Sequence, residues 1–216
     1  MLDFGFYNMD CMEGMKQYPD KYFDLAIVDP PYGDGLHAEN GGAKGWFTKY
    51  NQKVTKGSEK NIEWDIKPTE EYFEELFRVS KNQIIWGGNY FMLPPTRCFL
   101  VWHKLTISEN FTMAMAEYAW TSFDENAKIF EYPPQDKRRF HPTQKPVALY
   151  EWILNKYAKP GEIILDTHVG SASSLVACRR TNHKFVGFEI DAGYYAKAKE
   201  RLDAEMAQMN IYDYLG

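Results

Sequence analysis

The sequence has few cysteines, no long apolar run and no excess of basic residues, and each shortage excludes a class of protein. Its 216 residues include three widely separated cysteines, Cys11, Cys98 and Cys178, which predict neither a disulfide framework nor a paired-cysteine zinc site. No stretch approaches the roughly 18 apolar residues of a membrane span. The N-terminus lacks a basic segment followed by an apolar one, so we expect a cytoplasmic protein without a secretory signal.

The net charge and the spacing of the histidines argue against two further classes of protein. The formal net charge of −5 at pH 7 argues against a protein that coats nucleic acid through bulk electrostatics. The five histidines show no metal-ligand spacing, so no metal site is predicted. Hydrophobic residues at 44% and charged residues at 25% are typical of a globular protein, and the length suits one domain with its own core.

Strand and helix patterns alternate along the chain. The last third is the clearest, with a strand over 162–166, a helix over 173–180, a strand over 184–189 and a helix from 191 to about 208. This alternation predicts an α/β fold with a doubly wound, mostly parallel sheet, helices on both faces, and ligands at the carboxyl ends of the strands. Residues 33–67 show no period and predict a long mobile loop.

An apolar run at 25–28 predicts a buried strand that ends abruptly at Asp29-Pro30-Pro31-Tyr32. Proline has no amide hydrogen for a sheet ladder, so the strand cannot continue. An acid followed by prolines is also typical of a plain turn. The motif indicates a site only if other parts of the chain supply partners for it.

A second strand end, at Asp166, is followed by a small-residue turn and a helix. Glu189 ends the next strand, 19 residues after Gly170, where an acid would meet a ribose hydroxyl pair. Residues 170–174 read GSASS and lack the G-x-G-x-x-G pattern of dinucleotide enzymes, which makes a dehydrogenase the weakest alternative. The turn is better matched to a nucleoside without a pyrophosphate, and S-adenosylmethionine is the candidate.

Together these motifs resemble the amino methyltransferases of DNA. The resemblance rests on Asp-Pro-Pro-Tyr at 29–32, His-Pro-Thr-Gln-Lys-Pro at 141–146 and the turn at 166–171, and it spans nearly the whole chain. The order resembles the circularly permuted beta class, in which the catalytic motif precedes the cofactor motif. Asn8-Met9-Asp10 resembles that family's acidic strand end near the cofactor's adenine. The resemblance implies a seven-stranded Rossmann-like methyltransferase sheet, S-adenosylmethionine as cofactor, and adenine in DNA as substrate.

The resemblance also assigns roles to individual residues. Catalysis falls to Asp29, Pro30, Pro31 and Tyr32. Residues at strand ends and before a helix are expected to bind the cofactor: Asp10, His141, Thr143, Lys145, Asp166, Thr167, Gly170, Ser171 and Glu189. DNA contacts are predicted for basic residues of the loop 33–67, near the active site, and of a short target-recognition segment at 123–140: Lys44, Lys49, Lys53, Arg138 and Arg139.

The catalytic motif suits transfer to an exocyclic amino group, whose nitrogen is a poor nucleophile because its lone pair is delocalised. The Asp29 carboxylate and the Pro30 carbonyl, aimed at the two amino hydrogens, would favour a pyramidal nitrogen with its lone pair facing the sulfonium methyl. Pro31 holds residue 30 extended and so orients that carbonyl. Tyr32 would stack on a base flipped out of the double strand.

The choice of substrate has alternatives. Family members that act on cytosine more often have serine in place of the acid, so Asp29 favours adenine. Thr167, His168 and Ala172 replace the family's proline, phenylalanine and last glycine. Methylation of a cytosine amino group, of RNA or of a protein amide, and a decayed nucleic-acid-binding relative, are therefore the alternatives. An alanine at 172 still allows close approach of the cofactor if its φ is negative.

The target-recognition segment is unusually short. Recognition by loops, by the second subunit of a homodimer or with a modest sequence preference is consistent with it, with or without a partner restriction enzyme. Two further strand ends, at 86–90 and 102–104, fit either a place at the pocket or core packing.

Overall fold

An eight-stranded sheet organises the chain. The computed structural model describes residues 1–32, 66–111, 113–134 and 139–215, with side chains described as far as residue 208. The strands are Gly5–Asn8 (β1), Phe23–Val28 (β2), Ser80–Trp86 (β3), Phe99–His103 (β4), Ala116–Thr121 (β5), Lys128–Glu131 (β6), Ile163–Asp166 (β7) and Lys184–Glu189 (β8). The α-helices are Cys11–Met15 (α1), Glu70–Val79 (α2), Val147–Tyr157 (α3), Ser173–Arg180 (α4) and Ala192–Leu215 (α5), and a 3-10 turn spans Gly88–Tyr90.

The strand order is β1-β8-β7-β2-β3-β5-β4-β6. The five strands from β1 to β3 in that order pair in parallel, whereas β5 is antiparallel to both β3 and β4. This confirms the predicted α/β fold with its mostly parallel, doubly wound sheet. The predicted count of seven strands is corrected to eight. The additional strand, β6, lies inside the segment expected to recognise the target and pairs with β4. As a four-residue edge strand whose side chains are exposed or half-buried, β6 lacks the apolar run that would have identified it.

Helices cover both faces of the sheet, as predicted. Side chains alternate along β2, so Leu25 and Ile27 join the core beneath α3, α4 and α5, while Ala26 and Val28 join the core beneath α1 and α2. A strand buried on both faces reads as a continuous apolar run, which is why β2 was recognisable in the sequence. Among the residues that the structure describes, no helix has the length and apolar composition needed to cross a membrane.

The parallel register brings four strand ends to one edge of the sheet. Asn8 is paired with Glu189, and Asp166 with Gly187, while β2 lies beside β7 through Leu25 and Ile164. The chain segments that follow β1, β2, β7 and β8 therefore leave the sheet side by side, although they come from opposite ends of the sequence. This edge is where an open α/β sheet binds ligands.

Candidate active site

A cavity of about 680 Å³ opens at these strand ends. The four residues of the motif at 29–32 line it, together with the predicted cofactor residues other than Asp166. Asp166 is buried instead, and its carboxylate accepts hydrogen bonds from the His168 amide nitrogen at 3.0 Å and from the Ser174 hydroxyl. The structure thus brings the two sequence motifs to a single site.

Of the basic residues predicted to contact DNA, only Arg139 belongs to the part of the chain that the structure describes. It lines the cavity, and its Nε donates a hydrogen bond to the His141 carbonyl oxygen at 3.0 Å. Lys44, Lys49, Lys53 and Arg138 lie outside the described residues. Most of the predicted loop 33–67 lies outside them as well.

Both carboxylate oxygens of Asp29 are engaged. Oδ1 accepts a hydrogen bond from the Tyr32 hydroxyl at 2.7 Å, and Oδ2 accepts one from Lys145 Nζ at 2.5 Å. Lys145 Nζ lies 3.0 Å from a second carboxylate, that of Glu117. Lys145 therefore pairs with the predicted catalytic acid, and its predicted contact with the cofactor stays a prediction.

Glu117 was missed in the sequence. It lies on β5 and binds two lysines, since Lys104 Nζ is 2.5 Å from its Oε1. Burial opposes its charge, but Lys145 and Lys104 outweigh burial and lower the pKa of Glu117 to about 2. Burial likewise opposes the charge of Lys145, and Asp29 and Glu117 nevertheless raise its pKa. The available signal was an acid in an otherwise uncharged strand, AEYAWT, close to a lysine at the end of β4.

Tyr32 stacks on Tyr90, with ring centroids 4.6 Å apart and planes 10° from parallel. Gly87, with φ of 67°, allows this packing, because a Cβ there would lie 2.1 Å from the Tyr32 ring. Burial and the neighbouring Asp29 raise the pKa of the Tyr32 hydroxyl, which therefore stays a hydrogen-bond donor. Tyr90 is 42% exposed and lines the cavity, so it forms the open end of the stack.

The turn after β7 is tied to the end of β8. Glu189 Oε2 accepts a hydrogen bond from the Gly170 amide at 2.8 Å, and Oε1 accepts one from the Asp191 amide at 2.9 Å. Gly170 has φ of 54° and Ala172 has φ of 62°, both in the left-handed region. The condition that Ala172 has a negative φ is therefore not met. The chain must reverse direction directly before α4, and Ala172, as the N-cap of that helix, takes the strained conformation.

The side chains of Thr167 and His168, which replace residues of the family motif, find their partners within the protein. Thr167 Oγ1 lies 2.6 Å from the Tyr72 hydroxyl and 2.9 Å from His168 Nδ1, and the His168 ring packs edge-on to Tyr72. Burial lowers the pKa of His168 to about 4, so the ring is neutral at pH 7. Burial raises the pKa of Asp166 to about 7, and the nearby carboxylates of Asp29 and Glu189 add to that increase.

The loop before α3 packs against the turn at 166–171. A Cβ at Gly170 would lie 3.2 to 3.4 Å from ring atoms of His141, so this ring packs against the glycine. His141 also packs edge-on to Tyr194, with centroids 4.3 Å apart, and its Nδ1 lies 3.2 Å from Thr143 Oγ1. The predicted cofactor residues from both motifs thus meet.

The carboxylate acceptors at the cavity fit a nucleoside with hydroxyl donors and a positively charged sulfonium. Glu189 and Asp10 line the same cavity, and each carboxylate oxygen can accept more than one hydrogen bond. Asp10 Oδ1 already accepts bonds from the Met12 and Glu13 amides at 2.7 and 3.3 Å, which fixes its orientation at the start of α1. The absence of a side chain at Gly170 lets the His141 ring pack directly against the backbone of the turn.

Comparison with known proteins agrees with this geometry. The family model described as DNA methylase, of the N6/N4 type, matches residues 46–200. The chain belongs to this family. It is accordingly a DNA methyltransferase of the N6/N4 family, and the predicted cofactor, S-adenosylmethionine, is confirmed.

Individual relatives resemble this methylase over different spans. The Escherichia coli K12 protein YubD, described as a methylase, is 24% identical and covers 94% of the chain and 92% of its own length. The type II methyltransferase M.HpaI of Haemophilus parainfluenzae is 44% identical over 76 residues, which are 35% of this chain and 24% of that enzyme. The crystal structure of the M1.HpyAVI–SAM complex has a TM-score of 0.57 at 22% identity, and the match covers 91% of this chain and 98% of that one.

Proposed function

We propose that this methylase transfers a methyl group to the exocyclic amino group of adenine in double-stranded DNA, after the base has flipped out of the helix. The observation that carries the proposal is the position of Asp29, whose carboxylate faces the same cavity as the turn at 166–171. When bound there, S-adenosylmethionine supplies an electrophilic methyl group, so the protein needs no covalent intermediate.

Asp29 and the Pro30 carbonyl are proposed to accept hydrogen bonds from the two N–H groups of the amino group. The bonds from Tyr32 and Lys145 do not prevent this, because each carboxylate oxygen has two lone pairs. They fix the plane of the carboxylate before the base arrives. Fixed acceptors stabilise charge where it develops in the transition state without having to reorient, which is the largest contribution that a site of this kind makes.

The flipped base is proposed to stack at the aromatic pair of Tyr32 and Tyr90. Both side chains line the cavity, and a planar base of either kind has a π-face that matches them. The acid at position 29 supports adenine as the target base, following the family resemblance. Lys44, Lys49, Lys53, Arg138 and Arg139 are proposed to contact DNA phosphates.

The test is transfer of labelled methyl from S-adenosylmethionine to unmethylated duplex DNA, followed by mass spectrometry of the nucleosides. We expect N6-methyl-2′-deoxyadenosine from the native chain and none from Asp29→Ala, which should still bind the cofactor in calorimetry. N4-methyl-2′-deoxycytidine would overturn the choice of base. Cofactor binding without label in any DNA nucleoside would shift the substrate to RNA or a protein amide.

A further inference from the structure

Four charged side chains form a continuous chain that ends at the catalytic acid. Asp29 is bonded to Lys145 at 2.5 Å, Lys145 to Glu117 at 3.0 Å, and Glu117 to Lys104 at 2.5 Å. The two lysine side chains are only 3% and 6% exposed, so water does little to screen them. These four side chains carry two charges of each sign, so the group is neutral as a whole.

Separate segments of the sequence supply these four residues. Asp29 follows β2 and Lys145 precedes α3, while Glu117 lies on β5 and Lys104 follows β4. The Lys145 ammonium also lies 5.4 Å from the centroid of the buried Trp86 ring, which gives it a contact besides the two carboxylates. Lys145 is thus held between Asp29 and Glu117 by contacts that do not depend on any ligand.

On the basis of the proposed transfer to an amino group, we propose that Glu117 and Lys104 are positioning residues of this reaction. They hold Lys145 against Asp29 and so fix the carboxylate that accepts a hydrogen bond from the amino group. Methyl transfer brings positive charge onto the amino nitrogen, and a neutral chain does not oppose it. Without Glu117 the remaining three side chains would carry a net positive charge beside the reacting nitrogen, which would raise the barrier.

The decisive variant is Glu117→Gln, which keeps the shape of the side chain and removes its charge. We expect kcat to fall roughly 100-fold, as for a misplaced catalytic group, while the Kd of S-adenosylmethionine stays unchanged. Glu151→Gln is the matched control, because Glu151 also pairs with a basic residue, Arg180 at 3.3 Å, and its side chain is similarly exposed. Glu151 is absent from the cavity wall, so its variant should keep the native kcat.

The pH profile of kcat separates positioning from a general loss of stability. Loss of Glu117 removes a negative charge that raises the pKa of Lys145. Lys145 should then deprotonate at a lower pH than in the native enzyme, and the alkaline decline of kcat should begin at that lower pH. Lys104→Met removes the second cation that pairs with Glu117. In this variant Lys145 should deprotonate at the same pH as in the native enzyme or at a higher one. The other titratable groups around the pair, Tyr32, Tyr150 and Asp166, are the same in all variants.

The outcomes are distinct. An earlier alkaline decline in Glu117→Gln but not in Lys104→Met supports the proposal. Native kcat with a native pH profile in Glu117→Gln overturns it. If thermal unfolding shows that Glu117→Gln is not folded, Lys104→Met decides. A lower kcat with a native or later alkaline decline then supports the proposal, and a native kcat or an earlier alkaline decline overturns it. Absence of transfer by the native chain to any base overturns the proposed function, and the positioning role with it.

Discussion

The amide nitrogen of Gly170 donates a hydrogen bond to Glu189 Oε2 over 2.8 Å, so the cofactor turn and the acid of the next strand form one unit. Because the amide is buried, its partner determines whether the turn keeps its shape. An acid predicted only to meet a ribose therefore also shapes the turn itself.

Glu189→Gln should weaken cofactor binding. The amide group can accept through only one oxygen, so either Gly170 or Asp191 loses its partner, at a cost of about 1–3 kcal/mol. We expect the Kd of S-adenosylmethionine to rise roughly 5- to 150-fold in calorimetry. Glu162→Gln is the control, because Glu162 also accepts a backbone hydrogen bond, from the Lys159 amide, away from the cavity. Equal affinity of the two variants would contradict this role.

Asp29→Asn should abolish most of the transfer without preventing cofactor binding. The substitution replaces one acceptor oxygen by an amide donor that faces either the Tyr32 hydroxyl or the Lys145 ammonium. We expect kcat to fall roughly 10²- to 10³-fold. Asp24→Asn at the other end of β2, where Asp24 pairs with Lys81 at 2.6 Å, provides a matched control. Equal activity of the two variants would remove Asp29 from the mechanism.

Asp166 should make stability depend on pH. Its pKa of about 7 in the folded protein exceeds the ordinary value of 3.8, so the folded state binds more protons between these values and stability falls as pH rises. The contribution approaches about 1.4 kcal/mol per pH unit. His168 acts in the opposite direction. Its pKa is lowered to about 4 in the folded protein, so its contribution to stability increases as pH rises from about 4 to 6.5.

Comparison of Asp166→Asn with the native chain isolates the aspartate, because the contribution of His168 is common to both. In urea unfolding between pH 5 and 7, the difference in free energy of unfolding, variant minus native, should increase with pH. A difference that does not change with pH would show that Asp166 is ionised throughout this range.

Ala172→Gly should relieve backbone strain at the start of α4. An alanine in the left-handed region costs about 1–2 kcal/mol, while glycine adds about 0.5–1 kcal/mol of entropy to the unfolded chain. We therefore expect a net gain of between about 0 and 1.5 kcal/mol in the free energy of unfolding. Ala177→Gly, within the same helix, should instead lower it by about 1 kcal/mol. Destabilisation by both substitutions would contradict strain at Ala172.

The sequence was informative wherever one local pattern determined the structure. The buried run of β2, the turn after β7 and the acids at 29, 166 and 189 could all be placed, because apolar runs and strand-ending motifs are local. The pairing of Glu117 with Lys145 and Lys104 could not, because it depends on the register of β4 and β5, in which Trp102 lies opposite Glu117. The strain at Ala172 could not be predicted either, because its positive φ follows from the path of the backbone into α4 and not from the type of residue.

The arrangement of strands in the sheet has a consequence for folding. Asp24, on β2, accepts a hydrogen bond from the Ile163 amide of β7, and these two residues are 139 positions apart. During synthesis, β2 is therefore made long before the strand that covers one of its edges, and pairing over such a separation is slow. Asp29 and the turn at 166–171 can become neighbours only after all the residues between them have been made, so the candidate active site should form late in folding.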